Sequence, residues 1–152
     1  MDFGFKSLFG KGKDEDRRSL NRVNVPEKAS ILIVDDSRTV IAVLKKMLVT
    51  TGYRVYSAMN GEDGVEMAKT YLPDLILMDV ILPGINGFQA TRILRKETST
   101  QGIPIVIISG NEQATEKYWG MRIGANGFLP KPISRGDLFS VLSEQLSATQ
   151  VA

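Results

Sequence analysis

The chain contains no cysteine and no histidine. Without cysteine there is no disulfide framework, no thiolate metal site and no thiol nucleophile. Without histidine the commonest general base and zinc ligand is missing, and any phosphohistidine must belong to another protein. The sequence also lacks an apolar run approaching the roughly 20 residues of a membrane-spanning helix. Residues 1–13 lack the apolar core of a signal peptide, so we expect a cytoplasmic protein.

Most of the chain also lacks an excess of either basic or acidic side chains. The 152 residues include 19 basic and 17 acidic side chains, a formal net charge of +2. Residues 1–30 hold 7 of the basic and 5 of the acidic side chains, which leaves 12 of each for residues 31–152. This balance argues against nucleic acid as the main partner of the folded part.

Residues 1–29 are predicted to form a flexible N-terminal extension outside the core, because charged residues and glycines interrupt any regular apolar pattern. Within it Phe5, Leu8 and Phe9 lie at i, i+3 and i+4 among lysines. That spacing is typical of a short amphipathic segment that docks on a protein or a membrane surface. The alternative is a disordered tail with incidental aromatics, since the interspersed glycines weaken a helix.

From residue 30 onward, short apolar runs alternate with segments of helical period. The predicted strands are Ser30–Val34, Tyr53–Ser57, Asp74–Met78, Ile103–Ile108 and Gly127–Leu129. The predicted helices run from Ser37 to the Gly52 stop, then over Gly61–Tyr71, Asn86–Lys96, Gln113–Ile123 and Arg135–Leu146. Continuous apolar strands are typical of a parallel sheet that is buried on both faces.

Five alternations of strand and helix favour an α/β fold with a doubly wound, five-stranded parallel sheet. The expected architecture is flavodoxin-like, (βα)5, with strand order 2-1-3-4-5. We assign residues 30–148 to this domain and residues 149–152 to a C-terminal tail.

Polar side chains converge at one edge of the sheet in that strand order. Asp35 and Asp36 follow the first strand, Asp79 the third, Ser109 the fourth and Lys131 the fifth. Ligands bind at the carboxyl ends of the strands in open α/β sheets. Three clustered carboxylates repel each other and resist ionisation unless a cation is present.

The chemistry of this cluster suits a phosphoryl group. Oxygen ligands without histidine or cysteine favour a hard ion such as Mg²⁺ or Mn²⁺, and Mg²⁺ leaves positions for a phosphate oxygen. The lysine and the hydroxyl would neutralise and hydrogen-bond a phosphoryl group, which an aspartate can accept as an acyl phosphate. The cluster therefore predicts a Mg²⁺-dependent aspartyl phosphorylation site. Each element of the cluster also has a purely structural alternative when taken singly: an Asp pair after a strand can cap the next helix, and a Lys-Pro pair near a strand end can form a turn.

Residues 29–146 resemble the receiver domain of two-component response regulators. The motifs that carry the resemblance are Val34-Asp35-Asp36-Ser37, Leu77-Met78-Asp79-Val80-Ile81-Leu82-Pro83-Gly84, Ile108-Ser109-Gly110, Gly124-Ala125-Asn126-Gly127-Phe128-Leu129 and Lys131-Pro132. The resemblance implies that Asp79 accepts the phosphoryl group. It also implies that Asp36, Asp79 and the Ile81 backbone carbonyl bind Mg²⁺ directly, and that Asp35 acts through water.

The resemblance also implies a switch. Ser109 bonds a phosphoryl oxygen and Lys131 pairs with it, while the Lys131–Pro132 peptide bond is expected to be cis. Phosphorylation would draw the Ser109 hydroxyl toward the phosphoryl oxygens and let Phe128 rotate inward, which remodels the face built from helix 4, strand 5 and helix 5. On helix 4 we expect Trp119 to be a partner-binding residue and Tyr118 to be partly buried. The alternative is that one of these rings only anchors the helix.

Within the family, residues 86–92 and 119–125 resemble the stand-alone regulators of type IV pilus (twitching) chemosensory systems, the PilH type. That resemblance implies a single-domain switch, phosphorylated by a histidine kinase or phosphotransfer protein, that binds a downstream protein effector and does not bind DNA directly. We expect a monomer or weak dimer, and no enzymatic activity beyond its own phosphotransfer and dephosphorylation. One alternative is a phosphate sink for a shared kinase. Another is a Mg²⁺-dependent aspartyl phosphatase, which needs Asp-x-Asp where this chain has Asp35-Asp36.

Overall fold

A parallel sheet organises the part of the chain that the computed structural model describes, residues 29–110 and 119–151. Its strands are β1 (Ser30–Val34), β2 (Arg54–Ala58), β3 (Leu75–Asp79), β4 (Ile105–Ser109) and β5 (Gly127–Pro130). Their order across the sheet is β2-β1-β3-β4-β5, and all four pairings are parallel. The predicted fold and strand order are therefore confirmed.

Helices connect the strands and cover both faces of the sheet. They are α1 (Arg38–Thr50), α2 (Gly61–Tyr71), α3 (Gly87–Lys96), α4, of which residues 119–122 are described, and α5 (Arg135–Val151). The predicted end of the last helix at Leu146 is wrong, because α5 continues through residues that we assigned to a tail. Residues 1–28 of the extension, Tyr118 and the start of helix 4 lie outside the described residues. None of the described helices could cross a bilayer.

Polar caps determine where the helices begin. The side chains of Ser37, Asn60, Asn86 and Ser134 each accept a hydrogen bond from the backbone N–H three residues further on. At Asn86 the cap is reciprocal, because the Gln89 side chain accepts from the Asn86 N–H at 2.8 Å. The caps keep the connections after β1 and β2 short, so polar residues at the ends of these strands stay at the sheet edge.

Two strand boundaries differ from the prediction, and the one at the end of β3 affects the site. β3 ends one residue later than expected, so Asp79 is its last residue rather than the first residue beyond it. β4 begins at Ile105 rather than Ile103, because Pro104 has no N–H to contribute to the ladder. The Pro104 carbonyl still accepts a hydrogen bond from the Ile76 N–H at 2.9 Å.

The core lies on both sides of the sheet. Leu32 and Val34 enter a cluster with side chains of α2 and α3, whereas Ile31 and Ile33 enter a second cluster with side chains of α1 and α5. Every residue of β3 and β4 is buried. Burial on both faces explains why these strands are continuously apolar and why Asp79 and Ser109 stand out at their ends.

Candidate functional site

Three carboxylates meet at the carboxyl edge of the sheet. One oxygen each from Asp35, Asp36 and Asp79 lies within 4.8 Å of the other two. The pairing of β1 with β3 brings them together, since Val34 is opposite Met78 in the register. Asp35 and Asp79 are buried, while Asp36 is exposed to solvent.

Lys131 enters this cluster from the end of β5. Its ammonium lies 2.8 Å from Asp35 Oδ2 and 3.3 Å from Asp79 Oδ1. The Lys131 N–H donates to the Ser109 carbonyl at 2.8 Å, and the bond to Pro132 is cis, as the resemblance implied. Asp35 Oδ2 is shielded from water and accepts no well-aligned hydrogen bond within the described residues. Among these residues the Lys131 ammonium pairs with this charge, and the same ammonium also faces Asp79.

The environment makes negative charge on Asp79 costly. Burial, and next to it repulsion by Asp35, raise the pKa of Asp79 to about 6, although Lys131 and the Val80 N–H at 3.0 Å oppose the shift. Burial alone would lower the pKa of Lys131, but its close ion pair with Asp35 and the charge of Asp79 raise that pKa overall. One ammonium thus faces more negative charge than it balances.

The two predicted switch residues lie on neighbouring strands beside this cluster. Ser109 is the last residue of β4 and is 2% exposed. Phe128 is opposite Ile107 in β5 and packs, partly buried, against the core cluster of α2 and α3. A change at the Ser109 hydroxyl is therefore close to the strand that carries Phe128.

Comparison with known proteins identifies the family. Residues 31–143 match the response regulator receiver domain. The chain belongs to the response regulator receiver family. Protein PilH of Pseudomonas aeruginosa is 45% identical over 119 residues, which are 78% of this chain and 98% of PilH. The response regulator PleD of Caulobacter vibrioides is 38% identical over 112 residues, which are 74% of this chain and 25% of PleD.

Solved receiver structures share the fold. Chemotaxis protein CheY4 of Vibrio cholerae has a TM-score of 0.75 at 28% identity and covers 78% of this chain and 99% of its own. The receiver domain of the sensor histidine kinase PA1611 from Pseudomonas aeruginosa has a TM-score of 0.74 at 31% identity, with coverages of 79% and 98%. That structure carries a magnesium ion coordinated in its active site cleft.

The receiver site of this chain has the donors that such an ion requires. Mg²⁺ prefers carboxylate and carbonyl oxygens and usually takes one or two carboxylates. Asp36 and Asp79 offer carboxylates, and Ile81 follows Asp79 by two residues in the loop after β3. The buried Oδ2 of Asp35 and the raised pKa of Asp79 both indicate an incompletely compensated charge. The donor set therefore fits a hard divalent cation.

In the absence of divalent ions the receiver should lose stability as pH rises from about 4 to about 6. The folded-state pKa of Asp79, about 6, lies above its ordinary value of 3.8, so the folded chain holds this proton more tightly than the unfolded chain. The unfolding free energy should thus fall by about 2–3 kcal/mol across this window. Urea unfolding at several pH values measures it. Asp79→Asn should lack this fall in unfolding free energy. Identical pH profiles for the variant and the wild type would contradict a raised pKa of Asp79 in the folded receiver.

Trp119 lines a groove between α3 and α4. Trp119 is 52% exposed. The groove has a volume of about 190 Å³ and is also lined by Asn86, Phe88, Gln89, Arg92 and Ile123. Trp119 therefore borders α3, and its expected role in binding a partner through the face of α4, β5 and α5 stays a prediction. Tyr118 is outside the described residues.

A second groove borders the receiver site and was missed by the sequence analysis. It has a volume of about 390 Å³ and is lined by Thr39, Val40, Val43, Leu44, Lys131, Pro132 and Ile133. Its walls are mostly apolar, and Val43 is 49% exposed. The signal in the sequence is the breadth of the apolar face of α1, which is wider than its contact with the sheet requires.

Proposed function

We propose that this receiver accepts a phosphoryl group on Asp79 in a Mg²⁺-dependent reaction and thereby switches its binding to a protein partner. The donor is a histidine kinase or phosphotransfer protein, because the chain itself has no histidine. The observation that carries the proposal is the placement of the Asp79 carboxylate within 4.8 Å of two further carboxylates and 3.3 Å from Lys131. This combination suits phosphoryl transfer, which is catalysed mainly by positioning and charge neutralisation.

In this transfer the chain orients the reacting groups and neutralises the charge of the phosphoryl oxygens. A carboxylate oxygen of Asp79 forms a bond to phosphorus while the bond from phosphorus to the donor imidazole nitrogen breaks, and the bonding electrons stay on that nitrogen. Bound Mg²⁺ would be held by Asp36, Asp79 and the Ile81 carbonyl, with Asp35 acting through water, and would neutralise phosphoryl oxygens. Lys131 supplies a further positive charge, and Ser109 a hydrogen-bond donor. We expect no other catalytic activity.

Phosphorylation acts on the partner by changing the surface of the receiver. A phosphoryl group on Asp79 adds acceptor oxygens beside Ser109, and Phe128 on the next strand can respond by moving further into the core. The face formed by α4, β5 and α5 then presents a different surface to an effector. The 45% sequence identity to PilH supports a role in a type IV pilus chemosensory pathway in the cytoplasm. Residues 30–148 would carry this function as a monomer or weak dimer without contacting DNA.

Tryptophan fluorescence should report the switch, because Trp119 is the single tryptophan of the chain and lies on α4. Beryllofluoride with Mg²⁺ mimics the phosphoryl group and should change the emission of the wild-type protein. Ser109→Ala should still bind beryllofluoride, as followed by calorimetry, but lose at least about half of the fluorescence change, since it lacks the coupling hydroxyl. Bound beryllofluoride that leaves wild-type emission unchanged would contradict coupling to α4.

Partner capture separates an effector switch from a phosphate sink. The full chain and residues 30–152 alone are each mixed with the candidate motility proteins, with and without beryllofluoride. An effector gains a partner when beryllofluoride is present, whereas a sink does not. A difference between the two lengths would show that the N-terminal extension takes part in docking.

A further inference from the structure

The loop between β3 and α3, residues 80–86, carries the carbonyl of Ile81. Two features hold the start of α3 close to the end of β3, and so bring the two ends of the loop together. The Gly87 N–H donates to the Val80 carbonyl at 2.8 Å. A side chain at Gly87 would collide with the Asp79 carbonyl, so the start of α3 approaches the end of β3 as closely as a glycine permits.

The C-terminal part of this loop, at Gly84 and Ile85, is held by a residue from another helix. The Glu62 carboxylate, in the first turn of α2, accepts a hydrogen bond from the Ile85 N–H at 3.1 Å. Gly84 has a φ of +75°, and a Cβ there would lie against the same carboxylate. Gly61 packs equally closely against Ile85. The first turn of α2 and the loop are therefore in direct contact.

We propose that Glu62 is a positioning residue for the receiver reaction. By holding the Ile85 N–H it keeps the loop in the conformation that presents the Ile81 carbonyl to the divalent ion. This inference rests on the proposed Mg²⁺-dependent function and assigns a role to a residue outside the acidic cluster. Groups that orient a ligand contribute to metal affinity although they do not touch the metal, because they reduce the reorganisation that binding requires.

The position of Glu62 in the helix could also serve α2 itself. A carboxylate in the first turn is favourable next to the helix N-terminus, and Asp63 shares that location. The two roles differ in what they predict. A purely helical role changes the stability of α2 and leaves metal affinity unchanged. A positioning role changes metal affinity, and a glutamine, which keeps an acceptor oxygen, restores it.

The test compares Glu62→Ala and Glu62→Gln with Glu66→Ala, an exposed acidic residue one turn later on α2. Mg²⁺ affinity is measured by calorimetry on the full chain, and thermal unfolding is measured in parallel. Glu62→Ala should raise the Mg²⁺ Kd about three- to tenfold, less than the 10–100-fold typical of outer-shell residues because Glu62 is exposed. Glu62→Gln should stay within about twofold of wild type, and Glu66→Ala should not differ.

A second readout needs no metal. The amide proton resonance of Ile85 should move upfield in Glu62→Ala, because its hydrogen bond to a carboxylate is lost, and remain close to the wild-type position in Glu66→Ala. An unchanged Ile85 resonance, or an unchanged Mg²⁺ affinity in a wild-type background that binds Mg²⁺ and accepts phosphoryl, overturns the positioning role alone. A wild-type protein that binds no Mg²⁺ overturns the proposed function as well.

Discussion

Asp79→Asn should take up no phosphoryl group from acetyl phosphate and Mg²⁺ under conditions in which the wild-type receiver is phosphorylated. Asparagine has nearly the same size but its amide oxygen is a far weaker nucleophile, so no acyl phosphate can form. Intact-protein mass spectrometry measures the phosphorylated fraction directly. The variant should fold at least as well as wild type at neutral pH, because burial makes the charge of Asp79 costly. Loss of uptake would therefore not be caused by unfolding.

Asp74→Asn is the matched control for that experiment. Asp74 immediately precedes β3, at the opposite end from Asp79, and its carboxylate accepts a hydrogen bond from the Ser30 N–H at 2.8 Å. It lies far from the sheet edge where the other carboxylates meet. Phosphoryl uptake by Asp74→Asn should match the wild type. Wild-type uptake by Asp79→Asn would show that another residue is the acceptor.

Lys131→Met should lower the free energy of unfolding by about 2–4 kcal/mol at neutral pH without divalent ions, and should slow phosphoryl uptake strongly. The ammonium is the ion-pair partner of the fully buried Asp35 within the described residues and also faces Asp79. Removing one member of a buried pair leaves an uncompensated charge, which typically costs about 3–5 kcal/mol. The expected value is lower because the Lys131 side chain is 22% exposed. Denaturant titration measures the difference.

Two further variants show whether the lower unfolding free energy of Lys131→Met is caused by loss of the ion pair. Lys45→Met removes an exposed lysine from α1 and should change the unfolding free energy by less than about 0.5 kcal/mol. Combining Lys131→Met with Asp35→Asn removes both charges, so the double variant should recover part of the lost stability. Equal stability of Lys131→Met and the wild type would contradict a role for the ion pair in the metal-free fold.

The fold followed from the sequence because its signals agree with each other. β3 and β4 are apolar throughout since they are buried on both faces, and the bounds of α2 matched the prediction because Asn60 caps its start. Once the strand order was predicted, the carboxyl ends of β1, β3, β4 and β5 placed Asp35, Asp79, Ser109 and Lys131 at one edge. This placement depends only on topology.

Contacts between elements could not be predicted in the same way. Asp35 and Asp36 are adjacent in sequence and both reach the same cluster, yet Asp35 is buried against Lys131 while Asp36 is exposed at its rim. The hydrogen bond from Ile85 to Glu62 joins residues that are 23 apart and has no local pattern. Trp119 borders α3 because of how two helices pack, which helical periodicity does not specify.

The central claim is that Asp79 is the acceptor, and chemical trapping tests it most directly. The wild-type protein is treated with acetyl phosphate and Mg²⁺ and then reduced with borohydride, which converts an aspartyl phosphate to homoserine. Peptide mass spectrometry locates the change. We predict homoserine at position 79 alone, and only when Mg²⁺ is present during phosphorylation. Homoserine at position 35 or 36, or an equal yield in the absence of divalent ions, would contradict the proposed site.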